Sequence, residues 1–379
     1  MKEILITSIA FSPNVGGIET HFNDLTKTLV KRGWKVSVLT YKPITTNVKA
    51  KTFEKIDNKV TIIRIPWFGG LFYKLVKNPA LEFIYLVPGL FFGLPIYLLV
   101  FGKKLKTIHS HGLVAGFASV FWGKVFGKRV ITTTHSIYHF PKSGLYKSLS
   151  RWIFGNSDCV LTLSKQSARE IEKLGIEKKK ITVFTYWINL DKFKVKSEKF
   201  KIKKKLGWEG KKFVVLFVGR LVEEKGVGEL LDAARMWDKD IMLAIAGTGP
   251  LEEMINEQKS INKNILYLER VDNDKLPDYY YAADLVIVPS THEEGFGRVI
   301  LESLACGTPV IGSNRGAIPE AMDETVGEFI KVTPVEIKKA VEYFYNNLDK
   351  LEILSRNARK FAEKRYSEKN SDKIVETYN

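Results

Sequence analysis

Short apolar runs rich in β-branched residues alternate along this chain with longer segments of helical period. In the first half the runs fall at residues 4–7, 36–40, 60–65, 107–109, 130–134 and 160–163, with a helix predicted from about Ile18 to Arg32. The second half repeats the theme at 214–218, 241–246, 265–268, 285–289 and 309–312, with a helix predicted from about Gly226. Strands that are apolar nearly throughout, alternating with helices, predict parallel sheets joined by right-handed crossovers. Two such series predict two Rossmann-like, doubly wound α/β domains, each with its ligand site at the carboxyl ends of the strands. The seam is expected near residues 189–202, where lysines and polar residues replace the periodicity. No repeat of solenoid period is visible.

One segment breaks the pattern. Residues 81–102 are almost wholly apolar and nearly long enough for a membrane helix. Pro88, Pro95 and the internal glycines argue against one straight span, and Lys103, Lys104 and Lys106 follow at once. Three readings stand: a buried core helix, a monotopic element dipping into a membrane surface, or a transmembrane span.

Composition narrows the class. Apolar residues make up 45% of the 379 and charged residues 27%, as in a soluble globular protein large enough for two cores. Cys159 and Cys306 form no paired motif, which argues for a reducing compartment and against a disulfide framework or a cysteine-based zinc site. The N-terminal apolar run is too brief for a signal peptide. The net charge of +17 is unevenly spread. Residues 1–195 hold 30 Lys and Arg against 11 Asp and Glu; the remainder hold 29 against 31. A basic half beside a near-neutral half suggests an anionic partner held by the first half alone. Nucleic acid lacks a recognition motif here. An anionic membrane surface fits better, and a generic basic surface is the plain alternative.

The chemistry concentrates in Glu294-Gly-Phe-Gly-Arg-Val-Ile-Leu-Glu302. It follows a predicted strand and opens a predicted helix. Free N–H groups and the positive end of a helix dipole make such a turn an anion site. Phe296, Gly297, Arg298, Val299 and Ile300 would line phosphates, while Glu294 and Glu302 could each accept bonds from hydroxyls. Phosphate donors between two hydroxyl readers suit a sugar nucleotide. The plain reading is a helix with an acidic start and one exposed Glu. The segment resembles the signature of retaining GT-B glycosyltransferases of the glycogen-synthase-like and sucrose-synthase-like superfamily (glycosyltransferase family 4, group 1). That resemblance implies that Glu294 contacts the donor sugar and Glu302 the nucleotide ribose.

Other motifs carry the same resemblance. Phe11-Ser-Pro-Asn-Val-Gly16-Gly17-Ile-Glu19 follows the first strand, and paired glycines let N–H groups approach an anion. The resemblance implies that Gly16 and Gly17 meet the donor phosphates and acceptor; Glu19 reads as a first-turn helix charge. His109-Ser-His111 ends a strand, with both rings on one face. No third metal ligand is evident, and the family carries a histidine at His111, beside the sugar. His135 closes the next strand as a second histidine. Gly219-Arg220, Lys225-Gly226 sets two cations where a diphosphate would leave, able to neutralise its growing charge without metal. Gly247 and Gly249 resemble the family's glycine loop near the nucleotide, and Val271 would line the base through main-chain atoms. The triplets Asp238-Lys-Asp240 and Asp272-Asn-Asp274 read as turns, the second as the N-cap of a helix at 275–281. No metal or other cofactor is expected.

The likeness runs from Ile4 to about Phe361, and residues 108–140 look closest to the branch that glycosylates inositol phospholipids. The family's Asn-Gly-Val-Asp hinge appears here as Tyr186-Trp-Ile-Asn189, and its Gly-Asp near 332–335 is absent. The resemblance implies an acceptor domain at 1–190, a donor domain at 191–365 facing it across a cleft, and a helix in 366–379 that packs back on the first. It implies a retaining, metal-independent hexosyltransferase using a UDP- or GDP-sugar, with a phospholipid or lipid-linked acceptor. The enzyme would be cytoplasmic and peripheral on the inner membrane face. A sugar-nucleotide epimerase of the same plan would need more acids in the first half; a silent sugar-nucleotide binder would not need the Glu294, Arg220 and Lys225 set.

Overall fold

The computed structural model describes residues 2–14, 16–44, 48–69, 71, 75–76, 78–194, 197–210 and 213–378. The chain divides into two compact units. One holds Met1–Tyr186 with Glu368–Asn379, the other Trp187–Ser367.

The first unit is built on an eight-stranded sheet. In chain order its strands are β1 Lys2–Thr7, β2 Trp34–Tyr41, β3 Phe53–Ile56, β4 Val60–Ile65, β5 Thr107–His111, β6 Arg129–Thr134, β7 Cys159–Thr162 and β8 Ile181–Val183. They lie in the order β3-β4-β2-β1-β5-β6-β7-β8. Only the β3–β4 pair is antiparallel. The apolar runs of the sequence are the buried strands. Strands β3 and β8 escape that reading for different reasons: β3 is largely exposed and carries no apolar run, whereas β8 is only three half-buried residues. Strand β1 lies between β2 and β5, so the winding reverses beside it. Loops diverge at such a switch point and leave a crevice at the carboxyl ends.

The apolar segment forms one 23-residue helix, Pro79–Phe101, capped by Asn78 Oδ1 on the Ala80 and Leu81 N–H groups. One face is core: Leu86, Leu90, Leu94 and Leu98 are buried. Its interruptions are satisfied from outside. Pro95 cannot donate to the Phe91 carbonyl, and Trp122 Nε1–H donates to that carbonyl instead, at 2.7 Å. Near Pro88, Tyr41 Oη enters the ladder, accepting from Leu90 N–H at 2.9 Å and donating to Leu86 O. A side chain at Gly89 would collide with that phenol. The opposite face is bare. Phe92, Ile96, Leu99 and Val100 are 63–74% exposed. The core-helix reading therefore describes half of this helix only.

The C-terminal segment belongs to this unit. Thr28 Oγ1 donates to Glu368 at 3.0 Å and Arg32 to Ser371 at 2.7 Å, while the Tyr378 ring packs against Trp34.

The second unit carries six parallel strands: β9 Phe213–Val218, β10 Ile241–Ala246, β11 Ile265–Tyr267, β12 Leu285–Val288, β13 Val310–Ser313 and β14 Gly327–Ile330. Their order is β11-β10-β9-β12-β13-β14. Val215, Leu231, Leu243, Ile287 and Val341 sit in its core, each contributing about 1.5–3 kcal/mol of transfer free energy. The winding reverses between β9 and β12. Asp238-Lys-Asp240 is a turn, with Asp240 N–H on Asp238 Oδ1. Asp272 does not cap the next helix. That helix is Leu276–Ala282, Lys275 is its N-cap, and no side chain caps it. Asp272 instead closes the turn through its carbonyl, which accepts from Lys275 and Leu276.

Candidate active site

In the second unit the sequence-predicted residues gather at the carboxyl ends of β9, β10, β11 and β12. Strand β9 runs into Gly219-Arg220 and then a single 3-10 turn, Glu223–Lys225. Gly226 leaves that turn at φ 69°, and a Cβ there would lie 1.9 Å from the Pro289 carbonyl. Only glycine lets this loop lie so close to the loop after β12. Thr291 N–H donates to Glu224 O at 3.0 Å, and His292 Nδ1 meets the same oxygen at 2.8 Å. The loop carrying Lys225 is thereby bound to the loop carrying Glu294.

Lys225 Nζ forms an ion pair with Glu294 Oε1, and Ser290 Oγ donates to the same oxygen. Among the described residues, Glu294 Oε2 takes no hydrogen bond. Glu294 is 9% exposed. Burial alone would raise its pKa, but the Lys225 ammonium, the Ser290 hydroxyl and His292 outweigh burial and hold the carboxyl below its ordinary value. The result is a fixed carboxylate beside a fixed ammonium at the switch point. Arg220 is exposed on the neighbouring loop, with no ion pair among the described residues. Loops 219–222 and 247–251 are stitched together: Gly219 N–H donates to Ala246 O, Leu221 N–H to Thr248 O, and Leu251 N–H to Leu221 O. Gly247 and Gly249 lie against loop 219–222, where a Cβ would collide with the Gly219 and Leu221 carbonyls, and Gly247 N–H donates to Glu269 O, two residues before Val271.

Helix Arg298–Ala305 begins after Gly297, which sits at φ 77°, in the left-handed region. Its N-cap, Gly297, has no side chain with which to cap it. Arg298 Nε bonds Glu302 Oε1 at 2.9 Å, one turn on, and Tyr280 Oη donates to Oε2 at 3.0 Å. Burial, then the Glu302 charge, holds the Tyr280 phenol protonated far above neutral pH. Glu302 is 5% exposed. Each of its oxygens keeps a second acceptor position. Phe296 turns inward onto Tyr366. Ile300 is not brought into the group, since its side chain is in the core and its N–H bonds Gly297 O at 2.9 Å.

The first unit holds a separate group at its own switch point. Gly16 is the N-cap of helix Gly17–Lys31, in extended conformation, and Glu19 lies in the first turn. His111 ends β5 and is the N-cap of helix Gly112–Val125. Four histidines cluster here. The His109 and His111 ring centroids are 4.1 Å apart, those of His111 and His135 5.1 Å, and those of His21 and His135 5.6 Å. His111 Nδ1 meets His135 Nε2 at 2.8 Å, and His135 Nδ1 meets Tyr186 Oη at 2.7 Å. His109 is held between Tyr378 Oη at 2.7 Å and Thr133 Oγ1 at 2.6 Å. Burial lowers the pKa of His109 and of His135 to about 3, the former helped by His135. Burial, then the neighbouring histidines, lowers that of His111 well below 6.5. All three are neutral at physiological pH.

Sequence reasoning missed Ser290, Tyr280 and Tyr186. Ser290 stands four residues before Glu294, and its position just past the end of β12 was the available signal. Tyr186 was visible only as a departure from a hinge motif.

Comparison with known proteins adds to this geometry. Residues 15–192 match the family model described as Glycosyltransferase Family 4. Residues 198–361 match the model described as Glycosyl transferases group 1. Among curated relatives, an uncharacterised glycosyltransferase of Methanocaldococcus jannaschii, MJ1607, is 27% identical over 93% of this chain and 91% of its own. The phosphatidylinositol N-acetylglucosaminyltransferase GPI3 subunit of Saccharomyces cerevisiae is 24% identical over 86% of this chain and 71% of its own. Among solved structures, a sucrose-phosphate synthase from Thermosynechococcus elongatus aligns with TM-score 0.84 and 20% identity, covering 100% of this chain and 98% of that one. Anabaena HepE, solved in complex with UDP-glucose, aligns with TM-score 0.77 and 18% identity, covering 100% and 99%.

Proposed function

The chain belongs to the group 1 and family 4 glycosyltransferases, with the paired Rossmann-like units of the GT-B fold, and from that premise we propose that it moves a hexose from a nucleotide diphosphate sugar to a lipid or lipid-linked acceptor with retention of configuration. The observation that carries the reading is the Lys225–Glu294 pair at the switch point of the second unit. Lys225 and Arg220 supply positive charge for the diphosphate, as a metal would elsewhere. Glu294 Oε2 accepts from a sugar hydroxyl, while Oε1 stays fixed by Lys225 and Ser290. The uncapped start of helix Arg298–Ala305 faces phosphate with its N–H groups, and Glu302 takes the ribose with its spare acceptor positions. HepE, of the same fold, binds UDP-glucose, which supports a donor of that class. In the first unit, His111 is the residue we assign to a substrate oxygen. The reaction is a front-face substitution. The bond from the anomeric carbon to the phosphate oxygen breaks, the bond to the acceptor oxygen forms on the same face, and the leaving phosphate takes the acceptor proton.

The acceptor side is argued from surface chemistry. Between Glu82 and Asp158 the chain has nine Lys and Arg and no Asp or Glu. That stretch carries the bare face of helix Pro79–Phe101; Phe121 of the following helix packs on Phe91 of that helix, and Val125 of the same following helix is exposed too. Lys103, Lys104 and Lys124 are exposed beside it. Basic residues at an anionic surface contribute about 1 kcal/mol each, and apolar side chains deepen the contact. The occupant of this face is an anionic bilayer at the inner membrane surface, where a phospholipid acceptor would be met. The GPI3 relative, by its name, acts on phosphatidylinositol, which supports the same acceptor class.

The test is a thermal-shift screen of UDP- and GDP-sugars, since a bound donor raises the melting temperature by mass action. It is followed by transfer of the labelled sugar to lipid extract, with EDTA present. A stabilising donor whose label enters the lipid fraction with its anomeric configuration kept supports the reading. Epimerised donor without transfer, or binding without turnover, contradicts it.

A further inference from the structure

We propose that Tyr186 and His135 are positioning residues that hold His111 in a single tautomer, with its Nε2–H presented as a hydrogen-bond donor to an oxygen of the substrate. The inference rests on the proposed contact of His111 with substrate and deepens it.

The geometry is a chain of three groups. Tyr186 Oη lies 2.7 Å from His135 Nδ1, and His135 Nε2 lies 2.8 Å from His111 Nδ1. Each imidazole is neutral in this buried cluster, so each carries one proton and one lone pair. A phenol is the better donor and an imidazole nitrogen the better acceptor. Tyr186 O–H therefore donates to His135 Nδ1. The His135 proton is then on Nε2 and donates to His111 Nδ1. That leaves the single proton of His111 on Nε2. Three groups thus fix one atom's role, and the choice at Tyr186 decides it.

The far end of the chain supplies the second observation. His111 Nε2 is buried and has no hydrogen-bond partner among the described residues. A buried donor left unpaired costs about 1–3 kcal/mol. A folded chain rarely keeps one without use. His111 lies at the carboxyl end of β5, at the switch point, where a ligand is expected. The ligand chemistry is an oxygen acceptor, either a sugar hydroxyl or a phosphate oxygen, met by a neutral donor. The ring is further confined by Phe22, edge-on at 4.5 Å, and by His109 at 4.1 Å. The residue that starts the chain stands in this chain's departure from the family's Asn-Gly-Val-Asp motif. Tyr186 reaches an imidazole that the shorter Asn would not.

The experiment uses the full chain labelled with 15N at histidine. Two-bond 1H–15N correlations report which ring nitrogen bears the proton. The proposal expects His111 with Nδ1 unprotonated and Nε2 protonated across pH 6–8. In Tyr186→Phe it expects His135 and His111 to become tautomer mixtures. Turnover should then fall roughly tenfold while the KM for the nucleotide sugar is unchanged. His135→Gln should also lower turnover, without changing UDP affinity. Protonation of His111 Nδ1 in the unmodified protein overturns the proposal, and needs no variant to be seen. So does a Tyr186→Phe protein with unaltered His111 signals and turnover. If no nucleotide sugar binds at all, the glycosyltransfer reading fails while the tautomer result still stands or falls alone. UDP with α-methyl glucoside, and UDP with inorganic phosphate, separate the two oxygen sources by which of them shifts the His111 Nε2 signal.

Discussion

Glu294 is a carboxylate nine-tenths buried that stays ionised because Lys225 and Ser290 converge on one of its oxygens. Changing it to Gln removes the charge and keeps the shape. Transfer should fall about 100-fold, equivalent to about 2.7 kcal/mol of transition-state contact, with nucleoside diphosphate affinity nearly unchanged. Steady-state rates and calorimetry on the same protein check both halves. The histidines give a pH prediction. His109, His111 and His135 each have a folded pKa below the ordinary 6.5, so the unfolded chain takes up protons that the folded chain refuses. Their contribution is complete above pH 6.5 and is lost as pH falls toward about 3. The slope is about 1.4 kcal/mol per pH unit for each histidine. Urea midpoints for the first unit should therefore drop from pH 7.5 to pH 5, and a flat midpoint would refute the buried neutral cluster. At this scale the sequence exposed the residues whose position follows from strand, loop and helix: Glu294, Lys225, Gly219 and His111. It hid the partners. Ser290, Tyr280 and Tyr186 act through contacts that exist only once the backbone is placed.

Helix Pro79–Phe101 shows why one apolar segment supported three readings. Periodicity reports that residues are apolar, and here both faces are. Only packing separates Leu94, buried in the core, from Ile96, 63% exposed. The prolines that argued against a span are accommodated because Trp122 and Tyr41 reach in from neighbouring elements. Leu94→Ala should cost about 2–5 kcal/mol of stability. Ile96→Ser should stay within about 0.5 kcal/mol and yet weaken binding to vesicles containing phosphatidylserine. Changing Lys103, Lys104 and Lys106 to Glu should have the same effect on vesicles, and added salt should mimic it. Equal stability loss in both apolar variants, or vesicle binding indifferent to all of them, would return the helix to a purely structural role. The strands divide on similar grounds. Buried strands announce themselves by composition, whereas β3 is largely exposed and β8, at three half-buried residues, is too short to stand out.

Across the whole molecule, two doubly wound units were legible because alternation of apolar runs and helices dictates that architecture. The two matched family models divide at the same place, one ending at residue 192 and the next beginning at 198. Charge divides with the units too, the basic excess belonging to residues 1–195. That division is why the proposed anionic membrane partner falls to the basic first unit, and the proposed diphosphate site to a few fixed charges in the near-neutral second. The central claim is that this second unit holds a nucleoside diphosphate through Lys225 and Arg220 in place of a metal, with Glu294 reserved for the sugar. It is tested most directly by titrating UDP and GDP calorimetrically in EDTA into the unmodified protein, Lys225→Ala and Glu294→Gln. The account predicts metal-free binding of one of the two, weakened at least tenfold in Lys225→Ala and preserved in Glu294→Gln. Binding that appears only with Mn²⁺ or Mg²⁺, or a Lys225→Ala protein that binds as tightly as the original, would contradict it.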